Sequence, residues 1–198
     1  MLSVLIVCTG NICRSPMAEG FLVERSERLF GGSVRVRSAG TWARRAGPPM
    51  SESIQAAAER GVDISALSSS PVEPEMIRDS DLVLTMTAEQ RDEVLALAPE
   101  ARDRTFTLKE AVALFAAMPT AAGGERDALL ARIEEAARLR ETGSVVVSDE
   151  DVSDPLGMSI DTYRAVAWEI ENLVDALVAG LSGSERREET AEAKKVWG

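Results

Sequence analysis

No histidine occurs anywhere in the 198-residue sequence. Histidine is the side chain that most often transfers protons near neutral pH, and it is the commonest ligand of transition metals. Proton transfer by this chain must therefore rely on carboxylates, lysine, cysteine or the only tyrosine, Tyr163. A histidine-ligated metal site is excluded as well.

Cysteines and long apolar runs are also scarce. The only two cysteines, Cys8 and Cys13, are too close in sequence to form the disulfide framework of a secreted domain. The apolar run from Leu2 to Val7 is far too short for a signal peptide or a membrane span. We therefore expect a cytoplasmic protein that does not associate with membranes.

Positive charge is in the minority, since 22 basic residues face 33 acidic ones and the net charge is −11. This balance argues against nucleic acid or an anionic membrane as a partner, although a local positive site for an anionic substrate stays possible. Hydrophobic residues make up 45% of the chain, which is enough for the core of one domain. We expect a monomer, although the sequence leaves the oligomeric state open.

Strand and helix patterns alternate along the chain. This order predicts an α/β fold in three layers, with a four-stranded, twisted parallel sheet and helices on both faces. Ligands of such sheets bind beyond the carboxyl ends of the strands. The predicted strands are Leu2–Val7, 34–40, Asp81–Met86 and 104–108, and the predicted helices are 15–30, 51–61, 87–98 and Ile160–Leu181.

One further helix is predicted inside the segment 111–147. Apolar residues recur there on a single helical face: Leu129, Leu130, Ile133, Ala136 and Ala137. We interpret the segment as a helical insertion laid on the body of one domain, residues 1–181, rather than as a second domain. Residues 182–198 form a charged tail.

The sequence CTGNICR, Cys8–Arg14, follows the first strand and has the features of a phosphate cradle. Six residue steps span about 20 Å, which closes into a ring around one phosphate. Gly10 and Asn11 tolerate the positive φ that turns N–H groups inward. The helix beginning near Ser15 adds its positive end, and Arg14 adds a planar fork of donors. The predicted phosphate-binding residues are Thr9, Gly10, Asn11, Ile12, Cys13, Arg14 and Ser15.

The same surroundings make Cys8 a candidate nucleophile. A helix N-terminus and a neighbouring arginine stabilise a thiolate, and Ser15 Oγ is placed to donate a hydrogen bond to it. The alternative is a buried cysteine that ends a strand, with Arg14 in an ordinary ion pair. The complete motif favours the nucleophile.

The motif CTGNICRSPMAEG resembles the signature of low-molecular-weight protein-tyrosine phosphatases, in which a cysteine, five residues, an arginine and a serine lie near the N-terminus. The resemblance continues in RSAGTW, SDLVLTMT and SDPLG. It implies a protein-tyrosine phosphatase with a four-stranded parallel sheet, a phosphocysteine intermediate and phosphorylated proteins as substrates.

Two acid–proline pairs, Glu73-Pro74 and Asp154-Pro155, are candidates for the general acid, because proline restrains the residue before it to an extended conformation. Spacing does not choose between them, whereas the resemblance implies Asp154. Cys8 would attack phosphorus, and Asp154 would protonate the leaving group and then activate water. No metal or other cofactor is expected, since backbone amides and Arg14 neutralise the phosphate.

The resemblance also assigns supporting residues. It implies that Asn11, Ser15 and Ser38 brace the loop by hydrogen bonds, where the alternative is ordinary turn and cap chemistry. Cys13 either packs beneath the loop or forms a reversible disulfide with Cys8. Tyr163 is interpreted as a packing residue of the last helix.

The substrate wall is predicted at Ile12, Trp42 and Leu156. Leu156 stands where the family often has an aromatic residue, and Trp42 either lines the opposite side or lies in the core. The chain is most similar to a bacterial branch that includes protein arginine phosphatases, which carries threonine in place of Ile12. We therefore expect phosphotyrosine as substrate, with phosphoarginine as the alternative. Arsenate reduction, which needs a further cysteine, and phosphoprotein binding without turnover are weaker hypotheses.

Overall fold

The computed structural model describes residues 1–44, 46–119 and 125–183. Its strands are β1 (Leu2–Cys8), β2 (Val34–Gly40), β3 (Leu82–Thr85) and β4 (Thr105–Thr107). Its helices are α1 (Arg14–Phe30), α2 (Ser51–Ala58), α3 (Pro74–Arg78), α4 (Ala88–Leu97), α5 (Leu108–Ala117), α6 (Arg126–Glu141) and α7 (Ile160–Ser182). A 3₁₀ helix, Pro99–Arg104, connects α4 to β4.

All strand pairs are parallel, in the order β2-β1-β3-β4. β1 is therefore central, and its apolar run is buried because both of its faces are covered. Val4 and Ile6 belong to one hydrophobic core, while Leu5 and Val7 belong to a second core on the opposite face. The alternation follows from the two-residue period of a strand.

Helices cover the two faces unequally. The first core is built with side chains from α1, α2, α5, α6 and α7, and the second with side chains from α3, α4 and the 3₁₀ helix. The predicted three-layer α/β fold with a four-stranded parallel sheet is confirmed. None of the helices in the described ranges is long and apolar enough to cross a membrane.

The segment 111–147 contains more structure than its apolar pattern predicts. It begins inside α5, a helix that was not predicted from the sequence, and α5 places Leu114 and Phe115 in the first core. α6 is the predicted inserted helix, and its residues Leu129 and Ile133 are buried in the same core. Residues 120–124 of this segment, and 184–198 of the predicted tail, lie outside the described residues. The division into a domain and a tail stays a prediction.

Arg132 of α6 is a buried cation that joins three helices. Its Nε donates to Gly180 O of α7 at 2.7 Å, and its Nη1 donates to Pro119 O, just beyond α5, at 3.0 Å. The last carbonyls of a helix have no partner within that helix. Arg132 supplies such a partner to α7 and holds α6 against the body of the domain.

The strand pairing also determines what surrounds the end of β1. Cys8, its last residue, pairs with Gly40, the last residue of β2. A Cβ atom added to Gly40 would lie 2.6 Å from Thr9 O and 2.9 Å from Asn11 N. The loop after Cys8 therefore rests directly on a position that only glycine can occupy without displacing backbone.

Candidate active site

Cys8 ends the central strand, and its side chain is buried at the start of the Cys8–Arg14 loop. The backbone N–H of Asn11 donates to Cys8 Sγ at 3.2 Å, and Ser15 Oγ lies 3.0 Å from the same sulfur. Two groups that can donate a hydrogen bond thus lie within reach of one sulfur atom.

Asn11 sets the curvature of the loop. Its φ of 53° is the only positive φ of a non-glycine residue in the described part of the chain. Gly10, the other residue expected to tolerate positive φ, does not adopt it in the structure. A single left-handed residue is sufficient to turn the N–H of Asn11 toward the sulfur, and asparagine tolerates that conformation.

The side chain of Asn11 connects three parts of the site. Its Nδ2 donates to Ser15 Oγ at 2.9 Å and to Ser38 Oγ at 2.8 Å, while its Oδ1 accepts from Ser70 N at 2.9 Å. Ser15 Oγ accepts a hydrogen bond from Asn11 Nδ2, and its own O–H is free to donate to Cys8 Sγ. The structure brings together all three residues predicted to brace the loop.

Two residues of this network, Glu19 and Ser70, were not predicted from the sequence. Ser38 Oγ donates to Glu19 Oε2 at 2.5 Å, and Ser70 supplies the backbone N–H that orients Asn11. Burial raises the pKa of Glu19, while its bonds from Ser38 act in the opposite direction. Glu19 lies four residues after Ser15 on α1 and hence on the same helical face, which was the available signal. Ser70 gave none.

Arg14 is the first residue of α1 and only 4% exposed. Its Nη1 donates to Val152 O at 3.0 Å and its Nη2 to Asp154 Oδ2 at 2.6 Å. Its Nε is buried and has no hydrogen-bond partner among the described residues, which is costly for a charged group. Since α1 also lacks a side-chain N-cap, one edge of the guanidinium and the helix N-terminus both present donors for an anion.

Of the two acid–proline pairs, the structure places Asp154 at Arg14. The Asp154 side chain is 44% exposed, and its Oδ1 accepts from Leu156 N at 3.1 Å. Glu73 instead precedes the first residue of α3, on the opposite face of the sheet. Asp154 is thus the acid–proline carboxylate that contacts the Cys8–Arg14 loop.

The three residues predicted for the substrate wall have different surroundings. Trp42 is 60% exposed, so its alternative placement in the core is wrong, and its backbone N–H donates to Thr9 O at 2.9 Å. Ile12 is partly buried, and its carbonyl accepts from Met50 N at 2.9 Å. Leu156 is exposed two residues after Asp154. The backbone of Trp42 is therefore hydrogen-bonded to the loop, and Ile12 is part of the loop. Leu156 lies close to the predicted acid in the chain.

Cys13 and Tyr163 are both buried and lie against each other, with 3.7 Å between Sγ and the phenol oxygen. Burial raises the pKa of the Cys13 thiol above its usual value, and burial likewise raises that of Tyr163. Tyr163 packs from α7, in agreement with its predicted role. Both cysteines are free, and the reversible disulfide stays a prediction.

Metal ligands are not grouped in the described ranges: no three histidine, cysteine or acidic side chains there could hold an ion together. The donors at the loop are instead N–H groups, a hydroxyl and a guanidinium. This donor set suits an oxyanion.

Comparisons with known proteins agree with this chemistry. The model of the family described as low molecular weight phosphotyrosine protein phosphatase matches residues 3–138. A protein-arginine-phosphatase of Bacillus subtilis is 33% identical over 185 residues, covering 93% of this chain and 100% of that protein. The low molecular weight protein-tyrosine-phosphatase Etp of Escherichia coli is 41% identical over 104 residues, covering 52% of this chain and 67% of Etp. The crystal structure of a Bacillus subtilis YwlE mutant superimposes with a TM-score of 0.69 at 32% identity, covering 91% of this chain and 99% of that one.

Proposed function

The chain belongs to the low molecular weight phosphotyrosine protein phosphatase family, and from that membership we propose that it hydrolyses phosphotyrosine in proteins through a phosphocysteine intermediate. The observation that carries the proposal is the convergence of Asn11 N–H and Ser15 Oγ on Cys8 Sγ, on a loop that ends at Arg14, whose buried Nε has no partner in the described part of the chain. A nucleophile and the donors for its target thus lie on one seven-residue loop.

In the first step, Cys8 Sγ attacks phosphorus and an S–P bond forms as the P–O bond to the substrate breaks. The loop N–H groups and Arg14 hold the non-bridging oxygens, where negative charge is greatest. Ser15 Oγ supports the thiolate before the attack. Asp154 donates its proton to the departing oxygen, so that the leaving group is a neutral phenol.

In the second step, the Asp154 carboxylate takes a proton from water as the water oxygen attacks phosphorus. The P–S bond breaks, inorganic phosphate leaves and the Cys8 thiolate is restored. One carboxyl group acts first as an acid and then as a base, and the chain needs no histidine for either step.

The nucleophile is tested by substituting each cysteine. Cys8→Ser should abolish turnover while vanadate still binds, and acid quenching of the wild type should trap a phosphorylated Cys8 peptide. Cys13→Ser is the matched control, and it should still yield the trapped phosphorylated Cys8 peptide. Substantial activity in Cys8→Ser, or loss of wild-type activity on chelation of metals, would refute covalent metal-free catalysis.

The choice of phosphotyrosine depends on Ile12. An isoleucine at the rim offers an apolar surface to an aromatic ring and no hydrogen bond to a phosphorylated guanidinium. A lost hydrogen bond or an added methyl group changes discrimination by about 10- to 200-fold. We expect a higher kcat/KM for phosphotyrosine than for phosphoarginine peptides, and a smaller difference in Ile12→Thr.

Phosphoarginine is the second candidate substrate, because the relative that covers 93% of this chain is named a protein-arginine-phosphatase. A wild-type preference for phosphoarginine peptides over phosphotyrosine peptides would establish that alternative. Arsenate reduction has less support, since the sequence holds no third cysteine for a relay. For phosphotyrosine and phosphoarginine alike, we propose that the substrate is a phosphorylated cytoplasmic protein.

A further inference from the structure

Trp42 is fixed at two points although most of its side chain is exposed. Its backbone N–H donates to Thr9 O at 2.9 Å, and its indole Nε1–H donates to Glu93 Oε1, also at 2.9 Å. Exposed aromatic side chains without such a bond exchange between rotamers on a picosecond-to-nanosecond scale. The bond to Glu93 restricts the indole of Trp42 to one orientation.

Helix α4, which carries Glu93, also contacts Thr9, the residue that follows Cys8. Gln90 lies one turn before Glu93 on α4, and its Nε2 donates to Thr9 Oγ1 at 3.0 Å. Gln90 is itself fixed, because its Oε1 accepts from Met86 N and Thr87 N, each at 3.1 Å. α4 therefore contacts the start of the Cys8–Arg14 loop through Gln90 and the indole of Trp42 through Glu93.

Glu93 has no other partner in the described part of the chain. No ion pair there includes its carboxylate, and its side-chain hydrogen bond is the one from Trp42. A carboxylate accepting from an N–H forms a stronger bond than two neutral groups do. The contact is long-range in sequence, joining residues 51 positions apart. Its structural effect is confined to the orientation of Trp42.

We propose that Glu93 is a positioning residue that determines specificity, because it holds the indole of Trp42 where its face packs on the planar part of a phosphorylated side chain. This inference rests on the proposed function. It applies to phosphotyrosine and phosphoarginine alike, since a phenyl ring and a guanidinium are both flat and both stack on indole. Inorganic phosphate, which has no planar group, gains nothing from it.

The expected effect is a loss of preorganisation. When Glu93 is replaced by alanine, the indole must be immobilised by the substrate itself, which lowers affinity about two- to tenfold. The chemical step on Cys8 does not involve the indole. Glu93→Ala should therefore raise KM for a phosphotyrosine peptide by that factor, with kcat and the inhibition constant of inorganic phosphate unchanged.

Three variants separate this role from a structural one. Glu93→Gln keeps an acceptor for the indole and should restore most of the wild-type KM. Asp92→Ala removes a neighbouring negative charge from α4 and should leave KM unchanged. Trp42→Phe lacks the indole N–H, so adding Glu93→Ala to it should have no further effect. Independent effects that add in the double variant would overturn the proposal.

An NMR measurement tests the inference without turnover. In the ¹⁵N–¹H spectrum, Glu93→Ala should shift the Trp42 indole resonance and speed its hydrogen exchange, whereas Glu93→Gln should preserve it. The positioning role would be refuted if the Trp42 indole resonance had the same shift and exchange rate in Glu93→Ala as in the wild type. It would also be refuted if the inhibition constant of phosphate rose together with KM. Failure of the proposed function has a different result: wild-type protein that turns over neither phosphotyrosine nor phosphoarginine peptides. If phosphoarginine is preferred, the KM comparison is made with that peptide and the same factor is expected.

Discussion

Removing the carboxylate of Asp154 should slow catalysis and at the same time tighten the binding of anions. In the structure, Asp154 Oδ2 is 2.6 Å from Arg14 Nη2. The predicted acid is therefore paired with one nitrogen of the guanidinium that is proposed to bind phosphate. A phosphate dianion and the Asp154 carboxylate therefore compete for Arg14. Replacing Asp154 by alanine removes the competitor and a nearby negative charge together.

The size of the two effects can be worked from the contact. A hydrogen bond between charged groups contributes about 1.5–3 kcal/mol. The Asp154 side chain is 44% exposed, and solvent screening brings the value to about 1 kcal/mol. At about 1.4 kcal/mol per tenfold, vanadate should bind Asp154→Ala about five times more tightly. Loss of a positioned acid should lower kcat by about 10²–10⁴.

The assay measures vanadate dissociation constants by calorimetry and kcat on aryl phosphates of varied leaving-group pKa. Loss of kcat should be smallest for leaving groups that depart without a proton. Glu73→Gln, in the other acid–proline pair, is the matched control and should alter neither quantity. Weaker vanadate binding in Asp154→Ala would refute the competition for Arg14. Equal losses across all leaving groups would refute Asp154 as the acid.

Three further predictions follow from buried or paired groups. Gly40→Ala should destabilise the fold by about 1–3 kcal/mol and weaken vanadate binding, because its Cβ would meet backbone atoms. Gly47→Ala, which has open space around it, should have neither effect. Equal melting temperatures of the two variants would contradict this prediction. Since burial raises the pKa of Cys13, iodoacetamide should modify Cys13 at pH 7.5 far more slowly than it modifies a free cysteine peptide. The reaction should become faster once urea unfolds the chain. Equal rates for Cys13 and the peptide in the folded protein, measured by mass spectrometry, would contradict this prediction. Hydrogen bonds from Arg164, and a further one from Gln55, lower the pKa of Glu59 to about 2. The stability that they contribute to the fold is present above the ordinary carboxyl pKa and is lost as pH falls toward 2. In Arg164→Gln, a carboxyl ¹³C titration should show the Glu59 pKa raised toward the ordinary value, and an unchanged pKa would contradict the cause.

Local sequence signals predicted the elements that carry the motif. The apolar run before Cys8 predicted a strand buried on both faces, as β1 is, and the loop and α1 follow it directly. α5 was missed because it begins at Leu108, immediately after β4, with no intervening loop. The signal was present in Thr107 and Glu110, which form a capping box. α3 has five residues, too few for a hydrophobic period.

The contacts that complete the site could not be predicted in the same way. Ser70 and Glu93 reach the loop region from distant positions in the sequence, and each does so by one hydrogen bond that depends on how helices and strands pack. The pairing of Arg14 with Asp154 spans 140 positions for the same reason. The nucleophile and its donors are local in sequence, whereas the proposed acid and the contacts that orient the site are brought to it by the tertiary fold.

The three-helix contact of Arg132 limits how the domain could be shortened. A minimal version made by deleting α6 would also remove the cation that donates hydrogen bonds to carbonyls at the end of α7 and beyond α5. Those carbonyls would lose the hydrogen bonds from Arg132, and the first core would lose the buried side chains of Leu129 and Ile133. Engineering of a compact form therefore requires new helix caps for α5 and α7 along with the deletion.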